Sequence, residues 1–149
     1  MKCIIQRVSS ASVTVDHQVI ADINIGMLLL LGIETKDSLN DVQKIVKKIV
    51  ELRIFPDSQG KFDRSLKEIN GDILVVSQFT LMADVKKGRR PSFTAAAKPE
   101  VAKVMVEAVV SQLKQHTIGK VRTGQFGANM KVKLINDGPV TISLDSSTL

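Results

Sequence analysis

The stretch KVKLINDGPVTISL, residues 131–144, poses the question on which the fold turns. On both sides of its middle, valine, leucine and isoleucine alternate with other residues, as in strands that bury one face. The middle itself, Asn136-Asp137-Gly138-Pro139, carries the strongest turn chemistry in the chain. Read locally, it predicts two strands, NMKVKLI and PVTISL, parted by a turn. It leaves open why Gly-Pro stands where an ordinary Asn-Gly turn would serve.

Working outward, the remaining segments alternate between strand and helix patterns. KCIIQRVS reads as a strand, and ASVTVDHQVIADI as a hairpin bent around Asp16-His17-Gln18. The apolar run IGMLLLLGI at 25–33 is less than half of what spans a bilayer and is bracketed by glycine, so it reads as a buried strand. Val42, Ile45, Val46, Ile49 and Val50 recur at helical spacing and predict a helix from Asp41 to Phe55, capped by Asn40 or Asp41. GDILVVSQFTLM is a strongly apolar strand, and ADVKKGRRPSF a basic loop. A second helix is expected from Pro99 to Gln115, with proline in the first turn. Strands outnumber helices and no linker or repeat interrupts them, which predicts a single α+β domain over residues 1–149 with a mixed or antiparallel sheet under two main helices.

Composition narrows the function. The net charge of +6 and pI near 9.6 favour a polyanionic partner over an acidic one. The single cysteine, Cys3, excludes an intrachain disulfide and a cysteine-based zinc site; no metal or cofactor is expected. MKCIIQRVSS has too short an apolar run for a signal peptide, so a cytoplasmic location without membrane contact is expected.

Three groups of residues are candidates for chemistry. Ser77, Gln78, Phe79 and Thr80 stand where the most apolar strand leaves the core, a place where loops build sites; the hydroxyls equally suit neighbouring backbone groups. A hydroxyl nucleophile needs an adjacent base, and both histidines, His17 and His116, lie in surface-like contexts. If the chain is an enzyme, conventional acid–base catalysis is therefore poorly supplied, and backbone groups or the substrate must do much of the work. Lys86, Lys87, Arg89 and Arg90 form a cationic loop suited to phosphates or simply to water. A hairpin through KVRTGQFGANMKVK would set Arg122 opposite Lys131 and Lys120 opposite Lys133, an arrangement that suits anions. Phe126 in its loop suits base stacking or a core plug.

IQRV at 5–8, RIFPDSQGKF at 53–62, LVVSQFTL at 74–81, GRRPSF at 88–93, TGQFGANM at 123–130 and NDGPVT at 136–141 occur in this order along nearly the whole chain. Together they resemble the D-aminoacyl-tRNA deacylase (D-tyrosyl-tRNA deacylase) family. The resemblance implies barrel-like sheets packed with helices, assembled as a homodimer, and hydrolysis of the ester between a D-amino acid and tRNA, with glycyl-tRNA also attacked. It implies that Gly138-Pro139 is cis and projects into the partner subunit's site, where rigid carbonyls hold the substrate amine and reject an L side chain. It further implies that Arg7 braces that turn, that Ser77, Gln78, Phe79 and Thr80 shape the pocket around a 2′-OH-assisted water, and that Phe126 and Met130 line its adenosine end. Without the resemblance, the residues alone read as a non-catalytic basic RNA-binding module.

Overall fold

A computed structural model describes residues 1–149 and places a mixed sheet beneath two helices. The strands are β1 (Lys2–Val15), β2 (Gln18–Ile23), β3 (Gly26–Gly32), β4 (Arg53–Pro56), β5 (Phe62–Ser65), β6 (Asp72–Ser77), β7 (Val121–Thr123) and β8 (Lys131–Asp145). The helices are α1 (Leu39–Glu51) and α2 (Pro99–His116). No helix is long and apolar enough to cross a membrane.

β1 is the spine. One of its edges pairs antiparallel with β8 from Lys2 to Thr14, while the other is shared by β3 along its first half and β2 along its second. β3 pairs parallel with β6, and β6 parallel with β7. The sheet curls until β2 returns beside β6 and β7, which gives the barrel-like form. β1 and β2 join through Asp16 and His17, both at positive φ (47° and 66°), the backbone that matches the twist of a tight hairpin.

Alternation divides the apolar residues between two cores. Met27, Leu29 and Leu31 of β3, with Ile73 and Val75 of β6, face α1 and α2; Leu28, Leu74 and Val76 face the opposite core. β1 serves both. Cys3 and Ile5 join the helix-side core, whereas Val8, Ala11, Val13 and Val15 join the other. The change of phase is absorbed at Ser9-Ser10, where the ladder to β8 is irregular. Buried Cys3 is inert, its thiol pushed up to about 12 by desolvation.

Several local expectations differ from the structure. β1 is one continuous strand rather than two, because Ser9 and Ser10 interrupt the ladder without ending it. α1 starts earlier and stops at Glu51, since the residue before Pro56 is driven into extended backbone and β4 takes over at Arg53. The cationic hairpin does not form. β7 pairs with β6 and β8 with β1, so Lys120 and Arg122 do not stand opposite Lys133 and Lys131. The Asp72 carboxylate explains why: it accepts from the N–H of Lys120 at 2.9 Å and of Asn24 at 3.2 Å, pinning the start of β7 beside β6.

The cap of α1 is Ser38, not Asn40 or Asp41. Its N–H and hydroxyl donate to the Asp41 carboxylate at 2.9 and 2.8 Å. The backbone N–H first, then the hydroxyl, hold the Asp41 carboxyl down at about 2. A depressed carboxylate stabilises the fold above its ordinary pKa of 3.8 and loses that contribution as pH falls through about 2. Asp41→Ala is therefore expected to cost about 1 kcal/mol in urea denaturation at neutral pH. The gap to the unsubstituted protein should close in acid; a gap constant with pH would place the contribution elsewhere.

Candidate active site

β6 delivers SQFT to the surface. Five consecutive residues from Asp72 to Val76 are buried, and Ser77 is the first to emerge. Gln78 still donates its N–H to Leu31 O at 2.8 Å, but the chain then tightens into a 3-10 turn, Phe79–Met82, instead of continuing the expected strand. The first backbone N–H of that turn to find a partner is Leu81, on Gln78 O at 3.2 Å. The N–H groups of Phe79 and Thr80 precede it and donate to no protein atom, as the first donors of any helical turn do not. The Gln78 side-chain amide donates to the Thr80 hydroxyl, so that oxygen is already an acceptor.

Beside this turn lies a cleft of about 650 Å³. Ser77, Gln78 and Phe79 line it together with Phe126 and Met130 of the 124–130 loop and Ala102 of α2. The 124–130 loop reaches it because Gly124 donates to Val75 O at 2.9 Å, and Gly127 turns the chain at φ +76°. The one charged lining residue is Lys98; no histidine, aspartate or glutamate lines the cleft. His17 sits in the β1–β2 turn and His116 at the end of α2, both exposed. Thr80 stands at the rim, outside the lining. The available chemistry is thus a pair of free backbone N–H groups, hydroxyls and an amide, with an apolar surround.

Phe93 also lines the cleft, a residue the sequence reading passed over. Its ring meets Phe79 edge-on at 5.0 Å, the arrangement aromatic quadrupoles prefer. The only signal for it was position, since it ends the basic segment KKGRRPSF. That segment is closed at its base by reciprocal backbone bonds between Asp84 and Ser92, at 2.8 and 2.9 Å. Lys86, Lys87, Arg89 and Arg90 are all exposed on it, and none makes an ion pair. The basic segment thus ends beside the cleft, with Phe93 in the lining and the four cations outside it.

Gly138-Pro139 is not a turn between strands. β8 runs through it: Thr141 pairs with Gln6, Asn136 with Val8, and the four residues between them loop out opposite the single Arg7. The loop is tied at its base by Asn136, whose Oδ1 accepts from Val140 N–H and whose Nδ2 donates to Thr141 Oγ1, both at 2.9 Å. The Gly138-Pro139 peptide is cis, and both residues are exposed. Arg7 is 8% exposed and lies under the loop. Its Nε donates to Asp137 O at 2.8 Å, its Nη1 to Ile54 O at 2.6 Å, and its guanidinium faces the Phe62 ring at 5.5 Å. Ile54 and Phe62 belong to the β4–β5 hairpin, whose turn is closed by the Asp57 carboxylate on the N–H groups of Gln59 and Lys61.

The loop and the cleft do not meet within one chain: no residue of 136–140 lines it. Counting three strand spacings and four residues along the ladder from Ser77 gives roughly 20 Å.

A family model described as D-Tyr-tRNA(Tyr) deacylase matches residues 4–145. The chain belongs to this family. A deacylase family relative, the D-aminoacyl-tRNA deacylase of Flavobacterium psychrophilum, is 54% identical over 146 residues, which cover 98% of this chain and 97% of that protein. A solved structure named c-Myc DNA Unwinding Element Binding Protein superimposes with a TM-score of 0.92 at 41% identity, covering 97% of this chain and 98% of the other. A second, described as a probable eukaryotic D-amino acid tRNA deacylase, superimposes with a TM-score of 0.83 at 17% identity, covering 96% and 97%. This second likeness speaks for the deacylase fold alone.

Proposed function

We propose that the chain is a hydrolase that cleaves the ester of D-aminoacyl-tRNA, releasing tRNA and the D-amino acid. The observation that carries this reading is the pair of unpartnered N–H groups at Phe79 and Thr80, beside a cleft lined by no acid or histidine. Ester hydrolysis develops negative charge on the carbonyl oxygen. Preorganised donors at that oxygen contribute about 2.7–4 kcal/mol each in comparable sites. The attacking water is activated by the free 2′-OH of the terminal ribose, since the protein offers no base there. Ser77 and Gln78 shape the acyl side of the pocket, and Phe126 and Met130 take the adenosine. Lys86, Lys87, Arg89 and Arg90 hold the tRNA backbone at the mouth.

Handedness is read by Gly138-Pro139 of a second copy in a homodimer, whose carbonyls accept from the substrate α-amino group. With that group fixed, an L side chain is driven into protein and a D side chain points out. Glycine, lacking a side chain, passes the filter, so glycyl-tRNA is hydrolysed as well.

The test is deacylation of one tRNA charged in parallel with D- and L-tyrosine, using purified protein and no added metal. Release of the D form alone is expected. Release of neither, with tRNA still bound, would replace this reading by the non-catalytic basic RNA-binding module. Thr80→Ala separates water attack from a threonine nucleophile. Because Thr80 lies at the rim with its oxygen accepting from Gln78, the variant should keep kcat within about fivefold, a loss of about 1 kcal/mol. Complete inactivity with an intact fold would instead make Thr80 the nucleophile.

A further inference from the structure

A second groove of about 670 Å³ opens from the same site. It shares Ser77, Val106 and Phe126 with the first cleft but differs in chemistry, for only four of its twelve lining residues are hydrophobic against thirteen of nineteen in the cleft. Its long wall is α2, which contributes Lys103, Glu107, Ser111 and Lys114. At about 100° per residue these four fall within one narrow stripe of the helix. The opposite wall is the end of β7 and its loop, Thr123 to Phe126. Lys103 and Lys114 are exposed, and neither makes an ion pair with Glu107 or any other carboxylate.

We infer that this groove carries the single-stranded RNA leading into the cleft, with Lys103 and Lys114 on its phosphates. The inference rests on the deacylase reading, which puts the terminal nucleoside beside Phe126. A strand entering there has to leave past Phe126, and the groove begins at that residue. Lys103 and Lys114 are about 16 Å apart along the helix axis, the length of several stacked nucleotides at about 3.4 Å each. Between them, Glu107 offers only acceptors, which suit the exocyclic amine of a cytosine. The exposed lysines carry no share of the core, so replacing them leaves the fold intact.

The experiment is fluorescence anisotropy with a short, unacylated single-stranded RNA ending in CCA, over a salt series. Lys103→Ala/Lys114→Ala is compared with Lys47→Ala/Lys48→Ala, the same loss of charge on α1. The groove variant is expected to weaken binding about tenfold at low salt and to lower the slope of log K against log salt by about 1.4, two phosphate contacts on a single strand. The α1 variant should match the unsubstituted protein. Unchanged affinity in the groove variant, or equal weakening in both, would overturn the inference. Because the RNA is unacylated, the outcome is independent of catalysis. Protein that binds through the groove but hydrolyses nothing would sink the deacylase reading alone; protein that hydrolyses but binds without Lys103 and Lys114 would sink the groove alone.

Discussion

Arg7→Ala is expected to lower stability by about 3 kcal/mol and deacylation by about 100-fold. The stability loss has a plain origin. Arg7 is buried, and its guanidinium satisfies two carbonyls, Asp137 O and Ile54 O, while covering the Phe62 ring. Hydrogen bonds to a charged donor contribute about 1.5–3 kcal/mol each, and both acceptors lose their partner at once. The catalytic loss follows from geometry. The Gly138-Pro139 loop is tied sideways by Asn136, anchored after Pro139 by the buried Val140, and braced at Asp137 by Arg7. A displacement of about 1 Å in a positioning group can cost about 100-fold in rate. Arg7→Lys separates the two effects. It restores a charge under the loop but not the fork that bridges two carbonyls. Stability should recover in part while kcat/KM stays low and discrimination between D- and L-tyrosyl-tRNA narrows. Urea denaturation and parallel deacylation assays measure both; a destabilised Arg7→Ala with unaltered kcat/KM would reduce Arg7 to a structural brace.

How much of this was legible in the sequence depended on the range of the deciding interaction. The β1–β2 hairpin, the buried β3 and the two helices rest on local pattern, and they form close to where that pattern puts them. NDGP misled because turn chemistry is local while strand partnership is not. The same tetrapeptide can end a strand or let it bulge and return to its partner; only the pairing of Asn136 with Val8 and Thr141 with Gln6 decides. The cationic hairpin failed for the same reason, since β7 is three residues long and its parallel partner β6 is distant in sequence. At the site, the end of the apolar run DILVV marked Ser77 correctly as the point of emergence, but nothing local announces the 3-10 turn that frees two N–H groups. That Phe93 lines the cleft and the lysines of α2 line the adjoining groove was invisible because their neighbours there arrive from β6 and the 124–130 loop.

The largest qualitative effect is expected from mixing two inactive variants. Gly138→Ala damages the loop: at φ +143° an added Cβ stands 2.8 Å from Val140 N and 3.2 Å from Arg7 Nη2, so the loop must shift. Ala102→Trp puts a bulky ring into the cleft lining and leaves the loop alone. Each variant by itself should be nearly inactive. In a twofold dimer whose sites each combine one chain's cleft with the other chain's loop, a mixed dimer holds one site with both defects and one with neither. Random exchange makes about half of the dimers mixed, so the mixture should recover roughly a quarter of the activity of the unsubstituted protein. A loop serving its own chain predicts no recovery at all, because every site then contains a defect. Circular dichroism of each variant and sedimentation of the mixture confirm that folded dimers exchange, which leaves the recovered activity as the deciding number. The roughly 20 Å of sheet between Ser77 and the loop is why recovery is expected: the loop is exposed, braced from below, and has no cleft of its own within reach.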